Sequence, residues 1–312
     1  MSTGKPVIAV IGAGAVGSYY GARLAQHEHD VHFHMRSDWQ IARKHGLRIK
    51  SPDGDFALPA NTVNAYGDTT SMPRADLVIV TLKTTANDLL GPLIAPVLNE
   101  NTAILTLQNG LGNEQVLAEL FGAERILGGM AFVCINRIAP GEIHHLDHGL
   151  ITIAELCVSP DDRVEGIAAL FSSSKIRCRV LPDLMTGRWE KLIWNVPFNG
   201  LGALLDQTTD RLIHSPQGLM LVRQLMEEVI AAARGFGIEF GESVIEEKIE
   251  HTRSMGPYMT SMQVDRRNHR PMEIETIIGE PLRAARRKNI VTPRLQMLYD
   301  LLNHTEIDSF RE

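Results

Sequence analysis

The sequence predicts an α/β protein in two parts: a doubly wound parallel sheet, then an all-helical domain. Three observations carry that prediction. Short apolar runs alternate with helix-like segments over the first third of the chain. A glycine-rich loop closes the first of those runs. From Asp183 onward no strand pattern stands out, while helix-like segments recur to the end. Strand–helix–strand alternation implies parallel strands joined by right-handed crossovers.

Taken in order, "PVIAVIG" reads as a strand buried on both faces, because it is apolar without alternation. A helix pattern follows over residues 16–26, then "DVHFHM" as a second strand. "ADLVIVTL" (75–82) and "TAILTL" (102–107) are two more buried strands. "TANDLLGPLIAPVL" (85–98) between them is helical, its regularity limited by Pro92 and Pro96. Beyond Gly128, "GMAFVCINRI" and "GEIHHLDHGLITIAEL" are strands joined by a short turn that extend or cap the sheet. "RVEGIAALFSSS" is a helix and "IRCRVL" a last strand. Residues 215–236, 242–254, 272–288 and 293–303 are helical. The expected domains are therefore 1–182 and 183–312.

Bulk composition narrows the class. The 312 residues are 44% hydrophobic and 22% charged, with a net charge of −6, which is ordinary for a soluble globular chain. That balance gives no nucleic-acid footprint. The basic clusters Arg266, Arg267, Arg270 and Arg283, Arg286, Arg287, Lys288 read as solvated faces and ends of helices. No run of 18 apolar residues exists to span a membrane, and the N-terminal apolar run is too glycine-rich for a targeting signal. Cys134, Cys157 and Cys178 are widely spaced and odd in number, as expected of buried reduced thiols in a cytoplasmic protein.

The loop "IGAGAVG" carries Gly12-x-Gly14-x-x-Gly17, with Ala15 and Val16 between the last two. It closes a buried strand and opens a helix, the context that makes this pattern specific for a dinucleotide. The first glycine permits the tight turn, the second lets a pyrophosphate approach the backbone, and the third lets helix and strand pack closely. The helix N-terminus adds N–H donors and a positive dipole end. The sheet is thus of Rossmann type. At the end of the second strand an acidic residue would accept a ribose 2′-hydroxyl. Here Arg36 stands in that place, with Asp38 nearby. A guanidinium suits a 2′-phosphate, so NADPH is expected rather than NADH. Lys83 and Asn109 follow two further strands at the edge where such sheets bind ligands. Lys83 suits a phosphate or the reacting end of the cofactor. Asn109 suits a carboxamide or the substrate, although Asn109-Gly110 is equally a plain turn.

"EKLIWNVPFN" (190–199) poses a different question. Lys191, Asn195 and Asn199 recur every four residues and share a stripe about 80° wide on a helix. Around them are Leu192, Ile193, Trp194, Val196 and Phe198, which favour burial. Pro197 should kink or break the helix. The stripe faces either solvent or a polar pocket, and spacing alone leaves both open. The histidines of "HHLDH" invite a metal, but His144 and His145 on a strand point to opposite faces, so no metal site is expected.

Together these segments resemble the ketopantoate reductase family over essentially the whole chain. The resemblance rests on "IGAGAVGSYYGARL", "VIVTLKT", "LQNGLGNE", "GEIHHLDHG", "WEKLIWNVPFN" and "SMQVDRRNHRPMEIETIIGE", in that order. It implies NADPH-dependent reduction of 2-oxopantoate to pantoate, on the way to pantothenate and coenzyme A. It implies Lys191 as the catalytic lysine, with Asn195 and Asn199 along the substrate cleft. It implies Ser261 as a substrate-binding serine and Glu273 as the carboxylate for the substrate's hydroxyl end. Asn109, Lys83 and Arg36 match positions that serve the cofactor or the active site. Glu275 is expected to point elsewhere. Another small 2-oxo acid, such as an opine-type substrate, stays open as an alternative, as does a non-catalytic NADPH sensor. A homodimer is compatible with the helical domain, but no heptad run demands it.

Overall fold

The computed structural model describes residues 5–157 and 162–309. The chain divides into two compact units. One runs to Gln108 and resumes over Asn113–Leu184; the other takes Asn109–Gly112 and everything from Met185 on.

The first unit is built on strands β1 (Val7–Ile11), β2 (Asp30–His34), β3 (Leu47–Lys50), β4 (Phe56–Leu58), β5 (Asn64–Tyr66), β6 (Ala75–Val80), β7 (Leu98–Thr106), β8 (Ile126–Ala139), β9 (Glu142–Glu155) and β10 (Cys178–Val180). Helices α1 (Ala15–Gln26), α2 (Trp39–His45), α3 (Leu90–Ile94), α4 (Asn113–Phe121) and α5 (Arg163–Ser173) accompany them. The strand order is β4-β3-β9-β8-β7-β6-β1-β2-β5, and β10 adds to β9. From β5 to β8 neighbouring strands are parallel. The chain goes from β1 to β2 on one side and later returns to β6 on the other. That makes the C-terminal edge of β1 and β6 the switch point where doubly wound sheets bind ligands.

β1 shows why its sequence lacks alternation. Ile8 and Val10 enter one apolar core with Tyr20, Phe33 and Leu105, while Ala9 and Ile11 enter a second with Val78, Val80 and Leu117. Both faces are covered, so every position is apolar. The strands beyond Gly128 extend the parallel sheet, as expected, and make it mixed. β8 and β9 form a long antiparallel hairpin, and β3 pairs antiparallel with β4. A two-residue turn at Pro140-Gly141 can only join antiparallel strands. Residues 85–98 are mostly 3₁₀ turns around the short α3, as Pro92 and Pro96 dictate. Cys134 is buried and Cys178 half-buried, with burial pushing the Cys178 thiol up to about 12, but Cys157 is exposed, contrary to expectation.

The second unit holds α6 (Leu184–Leu205), α7 (Thr209–His214), α8 (Pro216–Arg234), α9 (Val244–Met255), α10 (Ser261–Arg267), a π-helical turn (Glu275–Gly279), α11 (Glu280–Arg287) and α12 (Pro293–Ser309). No strand occurs among its described residues. The expected helix over 272–288 therefore begins later and passes through a π-turn. α6 is central: Trp189, Leu192, Ile193, Val196 and Phe198 are buried among Val222, Met226 and Val229 of α8 and Leu295, Leu298 and Leu302 of α12. Pro197 does not break α6, which is helical from Leu184 to Leu205. Proline inside a helix costs about 3 kcal/mol. The five large side chains packed around it, each worth about 1.5–3 kcal/mol when buried, outweigh that. Arg266 and Arg267 lie in the last turn of α10: Arg266 donates to the Ala203 and Leu204 carbonyls at the end of α6, and the exposed Arg267 pairs with Asp206. Among the described residues no helix is long and apolar enough to cross a membrane.

Candidate active site

In the first unit, the sequence-predicted cofactor residues gather at the C-terminal edge of the parallel strands. Gly12 has φ +81, and a Cβ there would come within 2.6 Å of Leu82. A Cβ on Gly17 would come within 2.3 Å of Thr81 and 2.9 Å of Val10. Both glycines are thus fixed by protein neighbours. Gly14 differs: its Cβ would meet only the Gly12 carbonyl, at 3.9 Å. The space in front of Gly14 is open, a cradle that a side chain would fill, beside the N-terminus of α1. Ala15 and Val16 begin that helix, and no acidic side chain sits in its first turn. Unpaired N–H groups and the dipole there suit a phosphate. The loop is tied on both sides. Ala13 N–H donates to the His34 carbonyl of β2 at 2.8 Å, and Thr81 Oγ1 donates to the Gly12 carbonyl at 3.0 Å.

Arg36 lies just past β2 and is exposed. Asp38 is buried, and its carboxylate accepts from Arg137 at 2.7 Å and from Ser37 Oγ at 2.6 Å. Lys83 is exposed after β6. These residues could hold the pyrophosphate and ribose of a dinucleotide, and the open cradle at Gly14 fits one.

In the second unit, the stripe of α6 is buried, not solvent-facing. Lys191 is 7% exposed, Asn195 5% and Asn199 3%. Lys191 Nζ donates to Asn109 Oδ1 at 2.8 Å. Desolvation, then the charge of Arg188, lower the Lys191 ammonium from 10.5 to about 7, with Glu273 pulling the other way. The physical cause is that a buried ammonium loses its hydration. Asn199 Oδ1 accepts from Ser261 Oγ and Met262 N–H, each at 3.4 Å, so Asn199 holds the first turn of α10. Glu273 is buried at 4% exposure, just before the π-turn. Glu275 does point elsewhere, to Arg283 at 2.8 Å and Tyr299 at 2.6 Å.

Asn109 and Gly110 form a turn that also brings Asn109 to the α6 stripe. Gly110 has φ +91, and a Cβ would come within 2.3 Å of the Thr276 carbonyl in the π-turn. Leu111 N–H donates to that same carbonyl at 2.9 Å. Only glycine allows this docking, which presents the Asn109 side chain to Lys191. Within one unit, then, Asn109, Lys191, Asn195, Asn199, Ser261 and Glu273 all come from α6 or from segments that pack on it. A cation poised near neutral pH beside a buried carboxylate and three carboxamides can hand a proton to an oxygen and bind a small polar anion.

The chain matches the family profile "Ketopantoate reductase PanE/ApbA" over residues 8–157 and its C-terminal counterpart over residues 183–306. It belongs to the ketopantoate reductase family. A Nostoc protein named 2-dehydropantoate 2-reductase is 42% identical over 299 residues, 94% of this chain and 93% of that protein. The crystal structure of 2-dehydropantoate 2-reductase from Geobacter metallireducens GS-15 superposes with a TM-score of 0.93 at 46% identity, covering 96% of this chain and 99% of that one. That of the Methylococcus capsulatus 2-dehydropantoate 2-reductase gives 0.86 at 32%, covering 97% of each. A ketopantoate reductase is a nicotinamide-dependent oxidoreductase, which agrees with the Rossmann-type sheet and the glycine cradle.

Two features of the α6 region were not read from the sequence. Arg188 is 1% exposed and sits three residues before Lys191, so it prolongs the stripe by one turn. The i, i+3 spacing would have found it. The π-turn at Glu275–Gly279 had no usable signal, because π-helices have no side-chain period of their own in so short a stretch. His145 is buried, with Nδ1 2.8 Å from Ser51 Oγ and Nε2 3.0 Å from the Asp147 carbonyl. Among the described residues no group of three histidine, cysteine, aspartate or glutamate side chains is placed to hold a metal.

Proposed function

We propose that this chain catalyses NADPH-dependent reduction of 2-dehydropantoate to pantoate, in the cytoplasm, as a step toward pantothenate and coenzyme A. In this reading residues 1–182 bind the cofactor and 183–312 bind the substrate. NADPH, when bound, supplies the hydride. The residues that would hold it are Gly12, Gly14, Ala15, Val16 and Gly17 at the pyrophosphate, Arg36 at the 2′-phosphate, and Lys83 and Asn109 toward the reacting end.

The observation that carries the reading is the buried Lys191, lowered to about 7 and held by Asn109 at 2.8 Å. Negative charge builds on a ketone oxygen as it is reduced. An ammonium aimed at that oxygen stabilises the charge and delivers the proton. A pKa near the working pH lets Lys191 give its proton readily and regain it from water. Asn195, Asn199 and Ser261 offer neutral donors and acceptors to the substrate carboxylate without adding charge. Glu273 accepts from the terminal hydroxyl. A cofactor-binding sensor would have no use for Lys191, Asn195 and Glu273 together.

The test is substrate choice. A buried carboxylate left unpaired by an analogue without the hydroxyl weakens binding far more than a missing methylene does. The enzyme should prefer ketopantoate to 3-methyl-2-oxobutanoate by at least about a hundredfold in kcat/KM. Glu273→Ala should shrink that ratio by lowering activity on ketopantoate much the more. Equal use of both acids by the wild type would point to another 2-oxo acid as the substrate.

A further inference from the structure

Asp38 occupies the N-cap position of α2, yet its side chain makes no cap hydrogen bond. It turns instead to Ser37 Oγ and to Arg137, whose Nη1 lies 2.7 Å from Asp38 Oδ2. The aspartate side chain is 10% exposed and that of Arg137 41%. Arg137 comes from the far end of β8, 99 residues away in sequence. An aspartate ordinarily caps a helix it precedes, accepting from a free N–H of the first turn and stabilising it. Here that gain is forgone for an ion pair two residues from Arg36.

We infer that Arg137 is a positioning residue for cofactor choice: it neutralises Asp38 and holds it away from the ribose. The inference rests on the NADPH reading above. An acidic side chain just after the second strand is what selects a ribose 2′-hydroxyl, by accepting its hydrogen bond, and the same charge repels a 2′-phosphate. This chain carries such an acid at Asp38 and cancels it with a cation from another strand. Arg36 supplies the attraction; Arg137 removes the repulsion. Specificity built this way needs both elements.

The experiment is equilibrium binding of NADPH and of NADH, followed by nucleotide fluorescence, with no substrate present. Wild type should bind NADPH the more tightly; no preference at all would overturn the NADPH reading itself. Given that preference, Arg137→Ala should weaken NADPH by about tenfold, the scale of one partly screened charge acting on a phosphate at short range. NADH should be unchanged or tighter. Arg137→Lys, which keeps the charge, should retain most of the preference. Asp38→Asn added to Arg137→Ala should restore NADPH affinity, because nothing is left to cancel. Raising the salt concentration should shrink the Arg137→Ala effect. Equal loss of both nucleotides in Arg137→Ala, or no rescue by Asp38→Asn, would show that Arg137 serves only to hold β8 and the start of α2 together.

Discussion

Gly12, Gly14 and Gly17 leave the loop after β1 lined by main chain, whereas three consecutive turns of α6 bury a lysine and two asparagines. In the proposed reading, the first region recognises by absence. Its chemistry lies in backbone N–H groups that side chains would obstruct, and its charge, Arg36, stays in water. The second recognises by presence. Its polar groups are taken out of water, and desolvation changes what they are: Lys191 becomes an ammonium that titrates near neutral pH. One arrangement suits a ligand that must come and go unaltered in charge. The other suits a proton that must move. The difference is between holding a phosphate and tuning an acid, and it follows from where water is kept.

That contrast can be broken at several points. The largest effect should come from the buried side. Lys191→Ala should cut kcat by about 10²–10⁴, the usual worth of a positioned general acid, while NADPH still binds. Near-normal turnover would mean that the lysine is a structural cation only. On the exposed side, Arg36→Ala should raise KM for NADPH by about ten- to a hundredfold, as for losing one charged hydrogen-bonding partner, with NADH kinetics little changed. Equal effects on both nucleotides would remove Arg36 from the 2′-phosphate.

The smallest effects sharpen the comparison within the loop. Gly14→Ala places a methyl in open space, so thermal stability should hold while NADPH affinity falls. Gly17→Ala drives a methyl into Thr81 and Val10, so stability should drop by about 1–3 kcal/mol, the range for overpacking. Melting curves and nucleotide titrations on the two variants would separate them. The reverse pattern would mean that Gly17, not Gly14, faces the ligand.

Much of the fold was legible because burial writes itself into the sequence. β1, most of β6 and the second half of β7 are apolar runs, since both faces of the central sheet are covered. The stretch between residues 37 and 74 yielded nothing, although it holds α2, β3, β4 and β5. Those strands are three or four residues long, too short for a period to declare itself. Only "LRIK" shows it in retrospect, with Leu47 and Ile49 buried and Arg48 and Lys50 exposed. In the site, the stripe on α6 announced itself as polar residues at helical spacing in an apolar segment. Its burial did not, because a lysine on a helix is ordinarily solvated. The partnership of Asn109 with Lys191 joins residues 82 apart and depends on Gly110 docking against the π-turn. The Asp38–Arg137 pair is likewise long-range, so its local sequence showed only an acid near Arg36. Side-chain chemistry was readable one element at a time, but the pairings between distant elements were not.

If Lys191 delivers the proton from a pKa of about 7, the rate of reduction should carry that titration in its pH profile. The acid acts in its protonated form, so kcat/KM for ketopantoate reduction should be flat at low pH. Above about pH 7 it should fall by about tenfold per unit, because kcat/KM reports the free enzyme's acid. Lys191→Ala should lose that limb and leave a low, flat profile. A wild-type profile that stays flat to about pH 9, or a limb near neutral pH that survives in Lys191→Ala, would contradict the assignment of Lys191 as the general acid.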